Sequence, residues 1–518
     1  MSWNGAGVRY FSGWKETLFW GLLLLGIGLV HSYFLRPGHF WGDDFAQYLM
    51  HAQNLAEGRP HSQTGYIYNP HYPQIGPPAY PPGTALLLAP VYRIWGLNWT
   101  ALKGTMIGCL LVFLALLVVY FRRSLSLGVL TVLVVLIGLN HFFLDQTNAI
   151  GSDLPFLVWV NLTLVFFQQG DRGEDRQERF RQHGESRSEK EERPFAGRIL
   201  VWHLAAALAA WAAFATRTVG VVLWAAILLA DAFQHRRIRS SLVWASGVFL
   251  LLAALQTLLI PGTSGYFDQL SIDPALLASH AVQYARQLAA FWRNGFSKLL
   301  TAVVAGIVSL LALVGYYREC RRRVSVREIF LLLYGVVVAA WPSYQGFRML
   351  DPVVPLWLFY AWKGIESDWP KRWDRLRFAA AVGLAGVMAA CYGTMLLTRP
   401  TGPLPEGIGR PSSQELFQAV RQYTKPDDAL VFIKPRALAL LTGRRCSVYH
   451  PVQDDAELWA YFRQIQARFL VVVQRPEAMQ GAEELERVQF LADFAARNQR
   501  RLQPIWANDD FALYRIEK

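Results

Sequence analysis

Long apolar stretches recur from Thr17 to Leu397, separated by short polar or basic breaks. A membrane-spanning helix needs about 20 apolar residues, fewer where a helix breaks inside the protein. On that basis the pattern predicts spans near 17–34, 101–121, 125–144, 154–168, 199–216, 218–233, 242–260, 299–316, 329–341, 350–362 and 378–397, about eleven in all. The piece from Gly83 to Trp95 is shorter and flanked by Pro-containing turns, and predicts an interfacial segment. Residues 170–198 are rich in Arg, Glu, Gln and Ser and predict a solvated, partly disordered loop. Beyond Arg399 the period changes. A Pro/Gly-rich linker (399–411) leads into alternating helix and strand signals: a helix opening at Ser412, a strand at Ala429–Lys434, a helix at Asp454–Gln466, then strands at Phe469–Val473 and Phe511–Ile516. The expected fold class is a polytopic α-helical membrane protein, residues 1–398, with a small soluble α/β domain over 412–518.

Composition supports a membrane protein over a string of soluble domains: 53% of residues are apolar, only 17% are charged, and 19 are Trp. The net charge of +13 could suggest nucleic acid, but the basic residues sit at Arg122-Arg123, Arg236-Arg237-Ile238-Arg239, Arg318 with Arg321-Arg322-Arg323, and Lys371-Arg372 through Arg377. Each cluster borders an apolar stretch, as the positive-inside rule expects of cytoplasmic loops. That rule places the N-terminus in the cytoplasm and residues 35–100, 145–153, 261–298, 342–349 and everything after Arg399 on the outer face. The first apolar stretch has no small-residue cleavage site after it and reads as an uncleaved helix. The four Cys suggest neither a disulfide framework nor a metal site.

The outer face then collects the chemistry. Asp43-Asp44 follows the first span, and carboxylates at a bilayer edge are costly and by default functional. Tyr48 and His51 share a helical face with Asp44, and Gln53 lies close by. Asp153 stands at the outer end of the fourth span, where a helix N-terminus would also suit a carboxylate. Arg217 and the segment Tyr344-Gln345-Gly346-Phe347-Arg348 each break a pair of apolar helices at the same depth. An outer Arg either snorkels to the interface or holds an anion such as phosphate in its forked geometry. The stretch from Tyr66 to Tyr80-Pro81-Pro82 is aromatic and Pro-rich, hence an ordered loop, with Tyr faces suited to stacking on sugar rings or to forming a lid. His39, His61 and His71 are spaced too irregularly to spell out a metal site with the carboxylates. Thr442-Gly443-Arg444-Arg445 is a weak candidate for anion contact, more readily a turn. A carboxylate here can act as general base or hold a divalent cation, and Arg can stabilise a departing lipid phosphate. A lipid-linked sugar transporter is the alternative reading. It would favour charges or broken helices at the bilayer midplane and an inverted repeat, and the chain has no detectable repeat of that kind.

Asp43-Asp44 with Tyr48, Tyr80-Pro81-Pro82-Gly83 leading into Leu86–Pro90, Ser152-Asp153-Leu154-Pro155, Thr216-Arg217, and Phe347-Arg348 followed by Pro352 together resemble the C-type (GT-C) membrane glycosyltransferases. The pattern is similar to their protein O-mannosyltransferase and bacterial aminoarabinose-transferase branch. The resemblance implies inverting transfer of a sugar from a polyprenyl-phosphate carrier to a glycan, lipid or protein acceptor at the outer face of the inner (plasma) membrane. It implies Asp43 as the base, Asp44 as the second carboxylate of the pair, and Asp153 as an acidic residue orienting the acceptor. Arg217 and Arg348 would hold the carrier phosphate, and Tyr48, His51, Tyr80 and Tyr344 would line the substrate loops. A divalent cation, if one is needed, would draw on Asp43 and Asp153. Tyr80 stands where relatives that modify lipid A often carry Lys, a departure that argues against an aminoarabinose donor or lipid A acceptor.

Overall fold

The computed structural model describes residues 13–182, 189–260, 270–293, 297–366, 386, 389–404, 406–479 and 482–517. Helix α1 (Trp14–Tyr33) leads into the acidic segment, followed by α2 (Asp44–Ala56) and α3 (Pro82–Trp95). The bundle continues through α4 (Trp99–Phe121), α5 (Leu127–Gly138), α6 (His141–Thr147), α7 (Asp153–Gln182), α8 (Glu189–Thr216), α9 (Val221–His235) and α10 (Ser240–Leu259). It goes on with α11 (Pro274–Ala290), α12 (Lys298–Arg322), α13 (Val326–Ala339), α14 (Val354–Ile365) and α15 (Ala389–Thr398). Helices α16 (Pro411–Tyr423), α17 (Pro435–Thr442), α18 (Asp455–Gln464) and α19 (Ala482–Arg497) belong to the C-terminal part.

Among the described residues six helices are long and apolar enough to cross a membrane, or seven if α5 and α6, bent by 55° at their junction, form one span. The sequence predicts eleven. The difference has physical causes. Helices α13 and α14 have 14 and 12 residues, about 21 and 18 Å of helix against a hydrocarbon core of about 30 Å. The apolar part of α7 is interrupted by Asn161 and begins with Asp153. Most of the stretch expected at 378–397 and the basic cluster at Lys371–Arg377 lie outside the described residues; α15 covers its end. The loop expected at 170–198 is also revised. Helix α7 runs on to Gln182 and α8 begins at Glu189, because Arg, Glu, Gln and Lys are strong helix formers once an apolar stem has nucleated the helix.

Helix α7 packs along α8, and α12 along α14. In the second pair the backbones touch: a Cβ on Gly315 would overlap the Tyr360 carbonyl oxygen, and one on Gly364 the Leu311 carbonyl oxygen. Small residues allow this approach between helices in lipid, where packing replaces the hydrophobic drive. Gly315→Ala is therefore expected to cost about 1–3 kcal/mol, read as a lower thermal unfolding midpoint in detergent; an unchanged midpoint would exclude the close contact.

One six-stranded sheet has the order β1-β3-β2-β4-β6-β5. The strands are β1 (Tyr66–Ile67), β2 (Ala429–Val431), β3 (Arg445–Ser447), β4 (Ala467–Val473), β5 (Leu502–Ala507) and β6 (Phe511–Ile516). Strands β1 to β4 pair in parallel, while β6 is antiparallel to both β4 and β5. Strand β1 comes from the loop after α2, which thus supplies an edge to a C-terminal sheet. Asn69 strengthens the join by donating to the Val448 carbonyl at 2.9 Å. Trp41 strengthens it again, buried against Phe417, Phe432 and Phe511 with ring separations of 5.6–5.9 Å. The acidic segment is clamped on both sides by the C-terminal part.

Candidate active site

Asp43 and Asp44 lie at the start of α2, and their side chains part. Asp43 Oδ1 accepts the backbone N–H groups of Arg436 at 3.0 Å and Ala437 at 3.1 Å. These belong to the first turn of α17, whose unpaired N–H groups and positive dipole end favour a carboxylate. Asp43 thus ties α2 to the C-terminal part and does not line the main pocket. Only its Oδ1 is engaged by helix α17; Oδ2 has no hydrogen-bond partner among the described residues and lies 3.7 Å from Arg436 Nε.

Asp44 does line the pocket, a solvent-open cleft of about 760 Å³. Its Oδ1 accepts the Tyr80 hydroxyl at 2.6 Å, and its Oδ2 accepts from Arg348 Nη1 at 3.1 Å. Arg348 Nε donates to Asp153 Oδ1 at 3.1 Å, and Arg217 Nη1 donates to the same oxygen. Arg217 also reaches Met349 Sδ at 3.3 Å. Each of these groups sits where a helix starts or breaks. Asp153 opens α7, Arg217 lies between α8 and the 3-10 turn Thr218–Gly220, and Arg348 lies in the 3-10 turn Gly346–Leu350. At Gly346 the backbone takes φ +67°, a conformation glycine accommodates without strain. Helix ends therefore bring together an alternating row, Asp44–Arg348–Asp153–Arg217, of which Asp44, Arg348 and Arg217 line the pocket while Asp153 accepts from both guanidinium groups.

The row's electrostatics separate the two neighbouring carboxylates. Burial pushes Asp44 up, but Arg348, Arg436 and the Tyr80 hydrogen bond outweigh it and hold the carboxyl at about 2. At Asp43 burial prevails over Arg436, Lys434 and the α17 amides, and the carboxyl is raised. Asp153 and Asp44 both draw Arg348 well above the ordinary guanidinium value against its burial. The site's ordinary state is a set of ion pairs.

Arg436 is a further member that sequence reasoning misses. It is fully buried, yet comes from the C-terminal part, 392 positions from Asp44. Its Nη1 donates to the Tyr80 hydroxyl at 2.6 Å and to Asp44 Oδ1 at 3.4 Å, and its Nη2 donates to the Ile75 carbonyl at 2.9 Å. The guanidinium lies 4.6 Å from the Tyr66 ring and 4.9 Å from the Tyr80 ring, a cation–π arrangement. Gly76 makes room for it, since a Cβ there would stand 2.6 Å from Arg436 Nη2.

The three-dimensional arrangement resembles solved structures despite little sequence similarity. ArnT from Cupriavidus metallidurans bound to undecaprenyl phosphate is similar over 96% of this chain and 98% of its own, with TM-score 0.54 and 13% identity. The oligosaccharyltransferase AglB from Archaeoglobus fulgidus, in complex with an inhibitory peptide and a dolichol-phosphate, is similar over 89% of this chain and 70% of its own, with TM-score 0.56 and 10% identity. The chain has the GT-C fold. At these identities the likeness is one of fold. No family model matches the chain, and no curated protein does either.

On this GT-C scaffold the remaining expected residues divide. Tyr48 lines the pocket, with its ring 5.0 Å from Tyr80. His51 does not; its Nδ1 donates to the His61 carbonyl at 2.7 Å and its Nε2 accepts the Tyr80 N–H at 3.1 Å. His61 stacks on it at 3.9 Å and bonds the Tyr80 carbonyl at 3.0 Å. The pair anchors the Tyr80 backbone and through it the hydroxyl on Asp44. Tyr344 packs on Tyr284 at 5.2 Å, leaving its neighbours Ser343 and Gln345 to line the pocket. His39 accepts the Ile150 N–H at 3.0 Å and stacks on Phe45, and His71 stacks on His450. Arg444 donates to Thr424 Oγ1 and to the Thr424 carbonyl, both at 3.0 Å, just after the left-handed Gly443; it closes a turn.

A divalent cation on Asp43 and Asp153 does not fit this arrangement. Asp43 faces α17, guanidinium groups occupy the space beside Asp44 and Asp153, and no group of three His, Cys, Asp or Glu suited to a metal occurs among the described residues.

The buried histidines carry a pH signature. Burial lowers His39 and His51 to about 3, so between that value and 6.5 the unfolded chain binds more protons than the folded one. Stability from these groups is fully present above pH 6.5 and is lost as pH falls. At pH 5 the loss is about 1–2 kcal/mol per histidine. Thermal unfolding from pH 7.5 to 5 should show a falling midpoint, with a shallower slope in His51→Gln; equal slopes would contradict it.

Proposed function

We propose that this chain is an inverting glycosyltransferase that moves a sugar from a polyprenyl-phosphate donor to an acceptor at the outer face of the cytoplasmic membrane. The observation that carries the reading is the direct pairing of Asp44 with Arg348 in a pocket that Arg217 also lines. Support comes from the shared fold, since two solved structures of that fold hold undecaprenyl phosphate and dolichol-phosphate. In this reading the shorter helices α7, α13 and α14 complete a bundle of about eleven spans. Residues 1–398 form the membrane domain with a cytoplasmic N-terminus, and 412–518 lie outside.

The chemistry follows from the row of charges. Asp44 takes the proton of an acceptor hydroxyl or amine as that atom attacks the anomeric carbon from the face opposite the phosphate. The bond from the anomeric carbon to the phosphate oxygen breaks, and the electron pair leaves with the lipid phosphate. Arg217 and Arg348 neutralise the charge developing on that group. Asp44 at about 2 is a weak base while Arg348 faces it. A phosphate drawing Arg348 toward itself frees the carboxylate and raises its basicity, so donor binding prepares the base. Asp153 fixes both guanidinium groups, and Arg436 with Tyr80 orients Asp44.

Undecaprenyl phosphate, at about 100 times its dissociation constant, should stabilise the purified protein by about 2.7 kcal/mol. The double variant Arg217→Gln/Arg348→Gln should lose that protection. Equal protection of wild type and variant would overturn the phosphate assignment.

A further inference from the structure

A second cavity, a solvent-open cleft of about 590 Å³, is lined by Arg123, Gln169, Arg172, Gly173, Arg198, Ile199 and Trp202. Arg123 and Arg198, both exposed, present their guanidinium groups to it beside Arg172, and no carboxylate is among its described lining residues. Asp171, next to Arg172 in sequence, is engaged by Arg239 at 3.2 Å.

Its position along the bundle identifies its surroundings. Nineteen positions along α7 separate Arg172 from Asp153, and eighteen along α8 separate Arg198 from Thr216, the residue before Arg217. At the α-helical rise each is about 28 Å, the thickness of a bilayer's hydrocarbon core. Two helices thus give the same distance from the candidate active site to this cavity. Arg123 lies just past the end of α4, at the same level. Trp202, which lines the cavity, is 38% exposed, an aromatic group of the kind that settles at the headgroup level.

We infer that this cavity binds the phosphate of an anionic membrane lipid at the face opposite the candidate active site. The guanidinium groups of Arg123 and Arg198 hold the phosphate oxygens, Trp202 meets the upper acyl chains, and the lipid seats the cytoplasmic ends of α4, α7 and α8. The inference stands apart from the glycosyltransferase reading, since none of its residues belongs to the first pocket.

The full-length protein, delipidated in detergent, is titrated with phosphatidylglycerol, phosphatidylcholine or inorganic phosphate and read by native mass spectrometry. Phosphatidylglycerol is expected to bind more tightly than phosphatidylcholine. Arg123→Gln/Arg198→Gln, both at exposed positions, should weaken it about 10- to 30-fold. The control Arg236→Gln/Arg237→Gln, exposed in another basic cluster outside the cavity, should bind as wild type does. Unchanged binding in the first variant, or an equal loss in the control, would overturn the site. Displacement of the lipid by millimolar inorganic phosphate would overturn the lipid as its ligand.

Discussion

Asp44→Asn is expected to fold, to keep its affinity for polyprenyl phosphate, and to lose sugar transfer by about 10²–10⁴-fold, the usual worth of a positioned general base. The amide still accepts the Tyr80 hydroxyl, but it cannot take a proton from the acceptor. Asp43→Asn is the informative comparison because the two residues are adjacent. It removes a charge from the start of α17, where Asp43 accepts two backbone N–H groups, and should cost about 1 kcal/mol of stability while changing the turnover rate only a few-fold. Turnover and thermal midpoints of the two variants separate the roles. The reverse pattern, with Asp43→Asn inactive and Asp44→Asn active, would return the base to Asp43.

Arg348→Gln is expected to lower turnover by about 10²–10³-fold, the loss seen when one donor to a developing oxyanion is removed. A stability loss should accompany it, because Arg348 is shared between Asp44 and Asp153. Removing it leaves both carboxylates with less cationic compensation, and breaking a buried pair costs about 3–5 kcal/mol. That figure is an upper bound here, since the Arg348 side chain is 29% exposed. Arg348→Lys keeps the charge and part of the stability but loses the fork that reaches both carboxylates at once. It should therefore recover the thermal midpoint more fully than the turnover rate. A lysine variant that restores both equally would mean that charge alone matters.

The sequence exposes much of this row because its members interrupt apolar stretches. Asp44, Asp153, Arg217 and Arg348 each stand at a break where a charge is conspicuous, and the structure brings all four together. Which of the two adjacent carboxylates faces the pocket is not legible in sequence, since one position on α2 changes the direction by about 100° and the deciding partner, α17, lies far along the chain. Arg436 is hidden for the same reason. In sequence it follows Phe432-Ile433-Lys434-Pro435 and looks like a surface charge opening a soluble helix. Only the joining of β1 to β3 buries it against Tyr66 and Tyr80. Arg436 also places a cation at the Tyr80 hydroxyl, which position 80 itself does not supply. The histidines near the site mislead in the opposite direction: His51 sits on the expected side of α2, but its ring nitrogens hold backbone. The lengths of α7 and α8 are likewise hidden in sequence, because their polar continuations resemble loop composition while favouring helix.

In the proposed function Asp44 activates an acceptor against a lipid-linked sugar. Mass spectrometry of polyprenyl-phosphate lipids, extracted from cells in which the wild-type chain is replaced by Asp44→Asn, tests it most directly. A glycosylated polyprenyl phosphate should accumulate in those cells, remain low with Asp43→Asn, and carry a mass that identifies the sugar. Identical lipid pools in Asp44→Asn and wild-type cells, with the variant present in the membrane at normal levels, would contradict the account.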